Sequence, residues 1–330
     1  MLEGRARCQA RLRRFADARA SVKAILDILD AEETPAFGGS PDLQGLLAEA
    51  RGDLRGAIEL VEDEGLLRSI SETARKQGDA VAEYEALSRL ANRYPARTLE
   101  VRGRLAVLDA AVPVRVKGRY RTDLPTLVLC DTNVLVADLM EDPSVPKELD
   151  DLRSPSVAKR LREMRSSKDV RLVVTRTVAR ELRALLSYRY AVEQNEEVAE
   201  ALRALIDRTD AIAESLDVKK VAGVVPRAGD ADVERVREFY RQFRARLRMI
   251  TERKAQRAPQ RSAAIVRKRT RGRPKATALP ERADLRLLAE AAWLVDAPVA
   301  GIGSIGIMSE DADFQHFRDE IEKTFRVRVC

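Results

Sequence analysis

Two short apolar runs constrain this chain more than any other feature. They are Thr126–Cys130 (TLVLC) and Val170–Val174 (VRLVV). Runs of this length suit strands buried on both faces, as in parallel sheets. Between and after them the spacing predicts helices over Ser156–Arg165, Thr177–Leu186 and Asn195–Glu214. Further on it predicts a helix over Ala283–Val295, an apolar strand ending near Met308, a helix from Phe314 to Lys323 and a last strand, Phe325–Val329. Alternation of this kind implies an α/β domain over 126–330, layered around a parallel central sheet. The chain has 330 residues, so there is room for roughly two domains.

The other domain is all-α in pattern. Over residues 1–112 apolar positions recur at three and four spacings, as in Val22–Ile25–Leu26–Leu29 and Leu87–Leu90. Leu46–Val61 and Ser71–Leu87 each read as helix, Gly-Asp, helix, through Gly52-Asp53 and Gly78-Asp79. Gly ends the first helix of each pair and Asp caps the second. Arg14–Leu26 offers a third second-helix. This organisation loosely resembles tetratricopeptide repeats, although the Gly-Asp pairs recur at a shorter period than that family's 34 residues. The resemblance implies stacked helical hairpins that bind a protein partner or a second copy. Residues 113–125, bounded by Pro113 and Pro125, read as a linker.

Composition removes several chemistries. A hydrophobic share of 45% supports real cores, and 4% aromatics disfavour repeated base-stacking platforms. The single histidine, His316, excludes multi-histidine metal sites and a two-histidine ribonuclease mechanism; it reads as a structural residue of the last helix. Cys8, Cys130 and Cys330 are widely spaced, which excludes zinc fingers, iron–sulfur clusters and a disulfide framework. The first residues lack a signal-peptide core. The most apolar stretch, Leu285–Met308, is interrupted by Glu290 and Asp296. A reduced, cytoplasmic protein without a membrane partner is expected. Any metal chemistry must use carboxylates.

Those carboxylates stand where strands end. Asp131 follows TLVLC directly, with Asn133 two residues on. Glu181 lies in the helix after the second strand, Asp284 opens a later helix, and Asp311 and Asp313 follow the third strand in SEDADF. Each alone reads as a cap or a surface acid. Together they lie at the carboxyl ends of parallel strands, where open α/β sheets bind ligands. A cluster of this kind needs a cation to offset mutual repulsion, and Mg²⁺ or Mn²⁺ suits an all-oxygen ligand set.

Over about residues 124–330, DTNVLV (Asp131–Val136), TVARELR with Glu181, ADLRLLAEA with Asp284, and SEDADF (Ser309–Phe314) together resemble the PIN-domain nuclease family. The resemblance implies a three-layer PIN-like domain. It implies that Asp131, Glu181, Asp284 and Asp311 are the catalytic, metal-binding acids, with Asp313 as a fifth ligand. It further implies that Asn133 and Ser309 orient the carboxylates. The expected activity is metal-dependent hydrolysis of RNA, leaving a 5′-phosphate and a 3′-hydroxyl. The chain departs from compact family members in its length, in a long basic insertion between Glu181 and Asp284, and in extra residues between Asp284 and Asp311.

The formal charge of +7 is concentrated in that insertion. Residues 251–282 carry +9, leaving the rest of the chain at −2. A basic segment on a near-neutral body reads as a handle for a polyanion. Within it, Arg267, Lys268, Arg269, Arg271, Arg273 and Lys275 are the expected nucleic-acid contacts. The core Arg271-Gly272-Arg273-Pro274 resembles an AT-hook, which implies minor-groove binding to A·T-rich DNA. Arg235, Arg237, Arg241, Arg244, Arg246 and Arg248 precede it on a helical stretch and extend the basic surface on this reading. RNA is the favoured partner. The alternatives are a DNA or structure-specific nuclease and a non-catalytic nucleic-acid-binding scaffold. Gly301–Gly306 fits GxGxxG but does not follow a first strand or open a helix, so close strand packing is the simpler reading.

Overall fold

A computed structural model describes residues 2–11, 14–27, 40–257 and 279–330. The expected nucleic-acid contacts from Arg267 to Lys275, including the hook-like core, lie outside the described residues. The chain divides into two compact units, Met1–Thr122 with Pro298–Gly301, and Asp123–Ala297 with Ile302–Cys330. Among the described residues no helix is long and apolar enough to cross a membrane.

The first unit is helical. Three antiparallel pairs pack in chain order: α1 (Leu2–Arg11) with α2 (Phe15–Leu26), α3 (Pro41–Ala50) with α4 (Leu54–Leu60), and α5 (Glu64–Gln77) with α6 (Ala80–Arg93). The two Gly-Asp turns work as their sequence predicts. Gly52 and Gly78 take φ of 83° and 73°, the left-handed conformation that glycine adopts at no steric cost. Asp53 then accepts from Gly56 N at 2.9 Å, and Asp79 accepts from Val81 N at 3.1 Å and Ala82 N at 2.9 Å. On α5 the buried face is Leu66, Leu67, Ile70 and Ala74, a helical spacing. Each fully buried Leu or Ile contributes about 1.5–3 kcal/mol. Gly45 is required by packing: a Cβ there would meet the Val61 Cγ2 methyl 2.3 Å away.

Residues 113–125 are not a plain linker. After α7 (Thr98–Asp109) they form α8 (Val114–Tyr120), which buries Val114, Val116 and Lys117 within the helical unit. Pro113 stands at the helix start, where its missing N–H costs nothing, so it opens a helix instead of breaking one. Lys117 is fully buried. Its ammonium donates to the Asp109 carbonyl at 3.0 Å and to the Val299 carbonyl, and it lies 3.4 Å from Asp109 Oδ1. Asp109 Oδ2 accepts from Gly301 N, so residues 298–301 belong to this unit through one buried charge pair.

The second unit is α/β. Its strands are β1 (Thr126–Cys130), β2 (Val170–Val173), β3 (Ser304–Met308) and β4 (Val327–Val329), all parallel in the order β2-β1-β3-β4. Leu127–Cys130 and Ile305–Met308 are buried throughout, which explains their unbroken apolar runs. β1 leads to β2 through α9 (Thr132–Leu139) and α10 (Pro155–Ser166). β2 leads to β3 through α11 (Arg176–Val192), α12 (Glu196–Ser215), α13 (Val218–Ala222), α14 (Asp230–Gln242), α15 (Arg244–Arg257) and α16 (Arg282–Asp296). β3 leads to β4 through α17 (Ala312–Gln315) and α18 (Arg318–Phe325). The chain steps outward from β1 to β2, then reverses past β1 to β3 and β4. α12 lies beside α9, α10 and β2, while α11 packs against both α9 and α16. The reversal makes the β1/β3 boundary a topological switch point, where a crevice opens at the strand carboxyl ends.

Two local expectations change. The helix expected over Phe314–Lys323 is two helices broken at His316-Phe317, because Phe314 and Phe317 are both fully buried and the short α17 turns to seat them. The last strand begins at Val327 instead of Phe325, since Phe325 closes α18 and Arg326 turns the chain at φ 57°. His316 is exposed and caps α17. Gly306 lies inside β3, where a Cβ would be 3.4 Å from Arg328 O, Cys330 Sγ and Val128 Cγ2. Close strand packing accounts for that glycine of the GxGxxG pattern.

Candidate metal centre

The crevice at the switch point is a cleft of about 520 Å³ with acids from four separate segments of the α/β unit. Asp131 comes from the end of β1, Glu181 from α11, Asp284 from the first turn of α16, and Asp311 from the segment after β3. Asp131, Asp284 and Asp311 each offer a carboxylate oxygen, and the three oxygens lie within 4.8 Å of one another. Asp131 is buried and the other two are partly exposed.

Local structure holds these groups in place. Asp131 N donates to Met308 O at 3.0 Å, which ties the ends of β1 and β3 together. Asp131 Oδ1 caps α9 by accepting from Thr132 N at 2.6 Å, and Oδ2 accepts from the Ser309 hydroxyl at 2.5 Å. The fully buried Ser309 Oγ also accepts from Asp311 N at 3.1 Å, so one hydroxyl positions two of the acids. Asp284 Oδ2 accepts from Glu281 N at 3.1 Å in a capping box. The capping reading of Asp131 and Asp284 is thus true as well, and the same bonds that cap the helices aim the carboxylates.

Glu181 lines the cleft outside the converging trio. Its Oε2 accepts from the Thr132 hydroxyl at 2.6 Å. Asp313 also lines the cleft outside the trio, and its backbone carbonyl accepts from the buried Tyr240 hydroxyl at 2.8 Å. Asn133 does not take the expected orienting role. It lines the cleft, but its buried Oδ1 has no hydrogen-bond partner among the described residues. The neighbouring Thr132 does that work instead, because its side chain faces Glu181 from the first helical position. A Thr between two stronger motif residues carries no local signal of this.

Electrostatics sets the trio apart. Burial pushes the Asp131 carboxyl up to about 6, with the charges of Asp311 and Glu181 adding to the rise and Ser309 and Thr132 N opposing it. Burial raises Asp284 further, to about 8, reinforced by Asp131, Asp311 and Glu181. At neutral pH Asp284 therefore holds its proton unless a cation neutralises it, while Asp131 is protonated only below about pH 6. The donor set is all oxygen, and the unpartnered Asn133 oxygen adds a neutral donor beside it. Such a set fits a hard divalent cation better than zinc.

The arginines before the insertion are largely occupied. Arg237 and Arg241 pair with Glu234, Arg241 also with Glu238, and Arg246 with Glu320. Arg235 and Arg246 lie over the rings of Phe325 and Phe317. Acids three and seven positions away on the same helix satisfy Arg237 and Arg241 locally, so these two and Arg246 are held in ion pairs, while Arg244 and Arg248 are exposed. Comparison with protein-family models, curated proteins and solved structures yields no match to the chain.

Proposed function

We propose that this chain is a divalent-metal-dependent nuclease of PIN type that hydrolyses RNA phosphodiesters. One observation carries the reading: Asp131, Asp284 and Asp311, far apart in sequence, bring carboxylate oxygens within 4.8 Å of one another at the sheet's switch point. Their chain order, with Glu181 between the first two, is the order on which the family resemblance rests.

On this reading Asp131, Asp284 and Asp311 hold Mg²⁺ or Mn²⁺, with Glu181 and Asp313 at the cleft wall. When bound, such an ion supplies Lewis acidity at the phosphodiester and lowers the pKa of water in the cleft. The chain's own contribution is preorganisation. Ser309 fixes the direction of Asp131, and Thr132 fixes that of Glu181. Asp284, protonated near neutrality without a cation, gives up that proton when a cation enters. The products are a 5′-phosphate and a 3′-hydroxyl.

The test compares Mn²⁺-dependent cleavage of single-stranded RNA, single-stranded DNA and duplex DNA by the wild type and by Asp131→Asn. The wild type should cut RNA best, and Asp131→Asn should fall to background with an unchanged circular dichroism spectrum. Undiminished cleavage by that variant would overturn the proposal. Binding without cleavage by the wild type would favour a scaffold.

A further inference from the structure

We propose that a second cleft, built on the same two helices as the carboxylates, holds one unpaired nucleotide of the strand, its phosphate on arginines and its base against Glu290. The identity of the strand rests on the nuclease reading; the construction of the cleft does not. The cleft measures about 470 Å³ and opens where the chain leaves β2. Small-molecule sites begin at about 300 Å³. Four exposed arginines border it, Arg176 and Arg180 on α11 and Arg282 and Arg286 on α16. Each pair is spaced to share one helical face. Arg180 adjoins Glu181, and Ala283 of this cleft adjoins Asp284, so the two clefts are neighbours along both helices. Among the described residues, only Arg286 of the four approaches a carboxylate, that of Glu290 at 3.7 Å.

The floor carries two buried polar groups without partners among the described residues. Thr175 is the N-cap of α11 and only 2% exposed, yet its hydroxyl makes no capping bond and has no hydrogen-bond partner among the described residues. A buried hydroxyl in that state is costly, and an acceptor placed in the cleft removes the cost. The first N–H groups of α11 also lack a side-chain cap, and a helix N-terminus in that condition favours an anion. Glu290 is 7% exposed. Its Oε1 accepts from the Thr177 hydroxyl at 2.6 Å, while Oε2 has no partner among the described residues. A phosphate would be repelled by that carboxylate, so it belongs with the arginines and the Thr175 hydroxyl; the other acid of the lining, Asp217, has its Oδ1 engaged by Lys219 N at 2.8 Å, and Glu290 Oε2 calls for an N–H donor. A nucleotide carries both, acceptor oxygens on its phosphate and an N–H on its base. A base inside the cleft cannot be paired, so the strand is single there.

The test uses the full chain in EDTA, where no cleavage occurs, and a fluorescein-labelled ten-nucleotide single-stranded RNA followed by anisotropy. Arg176→Ala/Arg180→Ala should bind about tenfold more weakly, with a salt slope smaller by about 0.7 for each phosphate that the arginines no longer neutralise. Thr175→Val, which keeps the side-chain shape and removes the unpartnered hydroxyl, should weaken binding while leaving the melting temperature at or above that of the wild type. Arg183→Ala/Arg203→Ala removes the same charge elsewhere on α11 and α12 and should bind nearly as the wild type. An abasic strand of the same length should bind the wild type more weakly. Equal weakening in the two double variants, wild-type affinity in the cleft variants, or equal affinity for the abasic strand would each overturn the proposal. If Asp131→Asn abolishes cleavage while the cleft variants bind normally, this subsite fails and the nuclease reading stands. If the cleft variants bind weakly and the wild type never cleaves, the subsite stands and the nuclease reading fails.

Discussion

Each unit of this chain buries charge, and the two do so in opposite ways. In the helical unit Lys117 is fully enclosed, but the Asp109 side chain, the Asp109 carbonyl and the Val299 carbonyl surround its ammonium. Burial lowers its pKa and the Asp109 charge opposes the fall. In the α/β unit Asp131, Asp284 and Asp311 bring charges of one sign together. Hydroxyl and amide donors hold Asp131 and Asp284, and the charges that act most on these two are other carboxylates. The first cluster balances its own charge. The second is balanced by a proton or a cation. A charge balanced by its own neighbours needs nothing further, whereas a like-charge cluster with raised pKa values marks a candidate site.

The sharpest way to break this comparison is to remove one charge from each cluster. Lys117→Met leaves the Asp109 carboxylate and two carbonyls buried without their donor, and should cost about 3–5 kcal/mol in denaturant unfolding. Restoring balance with Asp109→Asn in the same chain should return part of that loss. A loss below about 1 kcal/mol would show that Lys117 is no more than a surface-grade pair.

Ser309→Ala is next in size. It frees Asp131 Oδ2 and removes the acceptor for Asp311 N, and outer-shell changes of this type cost about 10–100-fold in metal affinity. Titration with Mn²⁺ by isothermal calorimetry measures it. An unchanged affinity would mean that the strand ends alone aim the carboxylates.

Asp284→Asn should move stability the other way. It removes a carboxylate whose ionisation the fold resists, so the metal-free variant should melt a few degrees higher than the wild type at pH 8. The Mn²⁺-induced rise in melting temperature should disappear with it. A variant less stable than the wild type would show that the capping bond from Glu281 N outweighs the repulsion among the acids.

The mildest change is in pH alone. Asp131 and Asp284 have folded values near 6 and 8, both above the ordinary 3.8. A raised carboxyl value favours the protonated folded state, so this stability is fully present below about pH 4 and is lost as pH rises through 6 and then 8. Metal-free protein should therefore lose melting temperature across pH 6–8, and saturating Mn²⁺ should flatten or reverse the slope. Parallel slopes with and without Mn²⁺ would separate the cation from these two acids.

The same contrast between local and distant partners governs what was legible in the chain. The Gly-Asp turns were readable because a left-handed glycine and an aspartate cap act within four residues of themselves. The acids at the strand ends were readable for the same reason, since an apolar run followed by Asp is a local pattern. The helix at Val114–Tyr120 was not, because Pro113 is a breaker in one context and a helix start in another, and burial of Val114 and Val116 decided between them. The DTN motif points to Asn133 and not to Thr132. One residue of helical rotation separates a hydroxyl that meets Glu181 from an amide oxygen that meets nothing among the described residues. Arg176, Arg180, Arg282 and Arg286 showed paired four-residue spacing, but no sequence rule says that two such helices border one cleft.

By itself the sequence determined the strands, most of the helices, the Gly-Asp turns and the position of Asp131 and Asp311 just after strands, and its counts left no multi-histidine or paired-cysteine metal site. These follow from interactions spanning a few residues and from simple counts. Only the tertiary structure decided that Asp131, Asp284 and Asp311 converge while Glu181 and Asp313 stand aside. It also decided that Lys117 is answered by Asp109, while the charges acting most on Asp131 and Asp284 are other carboxylates. The reason is physical. Strand order and crossover direction bring residues 131, 284 and 311 to one edge, and burial then turns ordinary carboxyls into groups that must be neutralised.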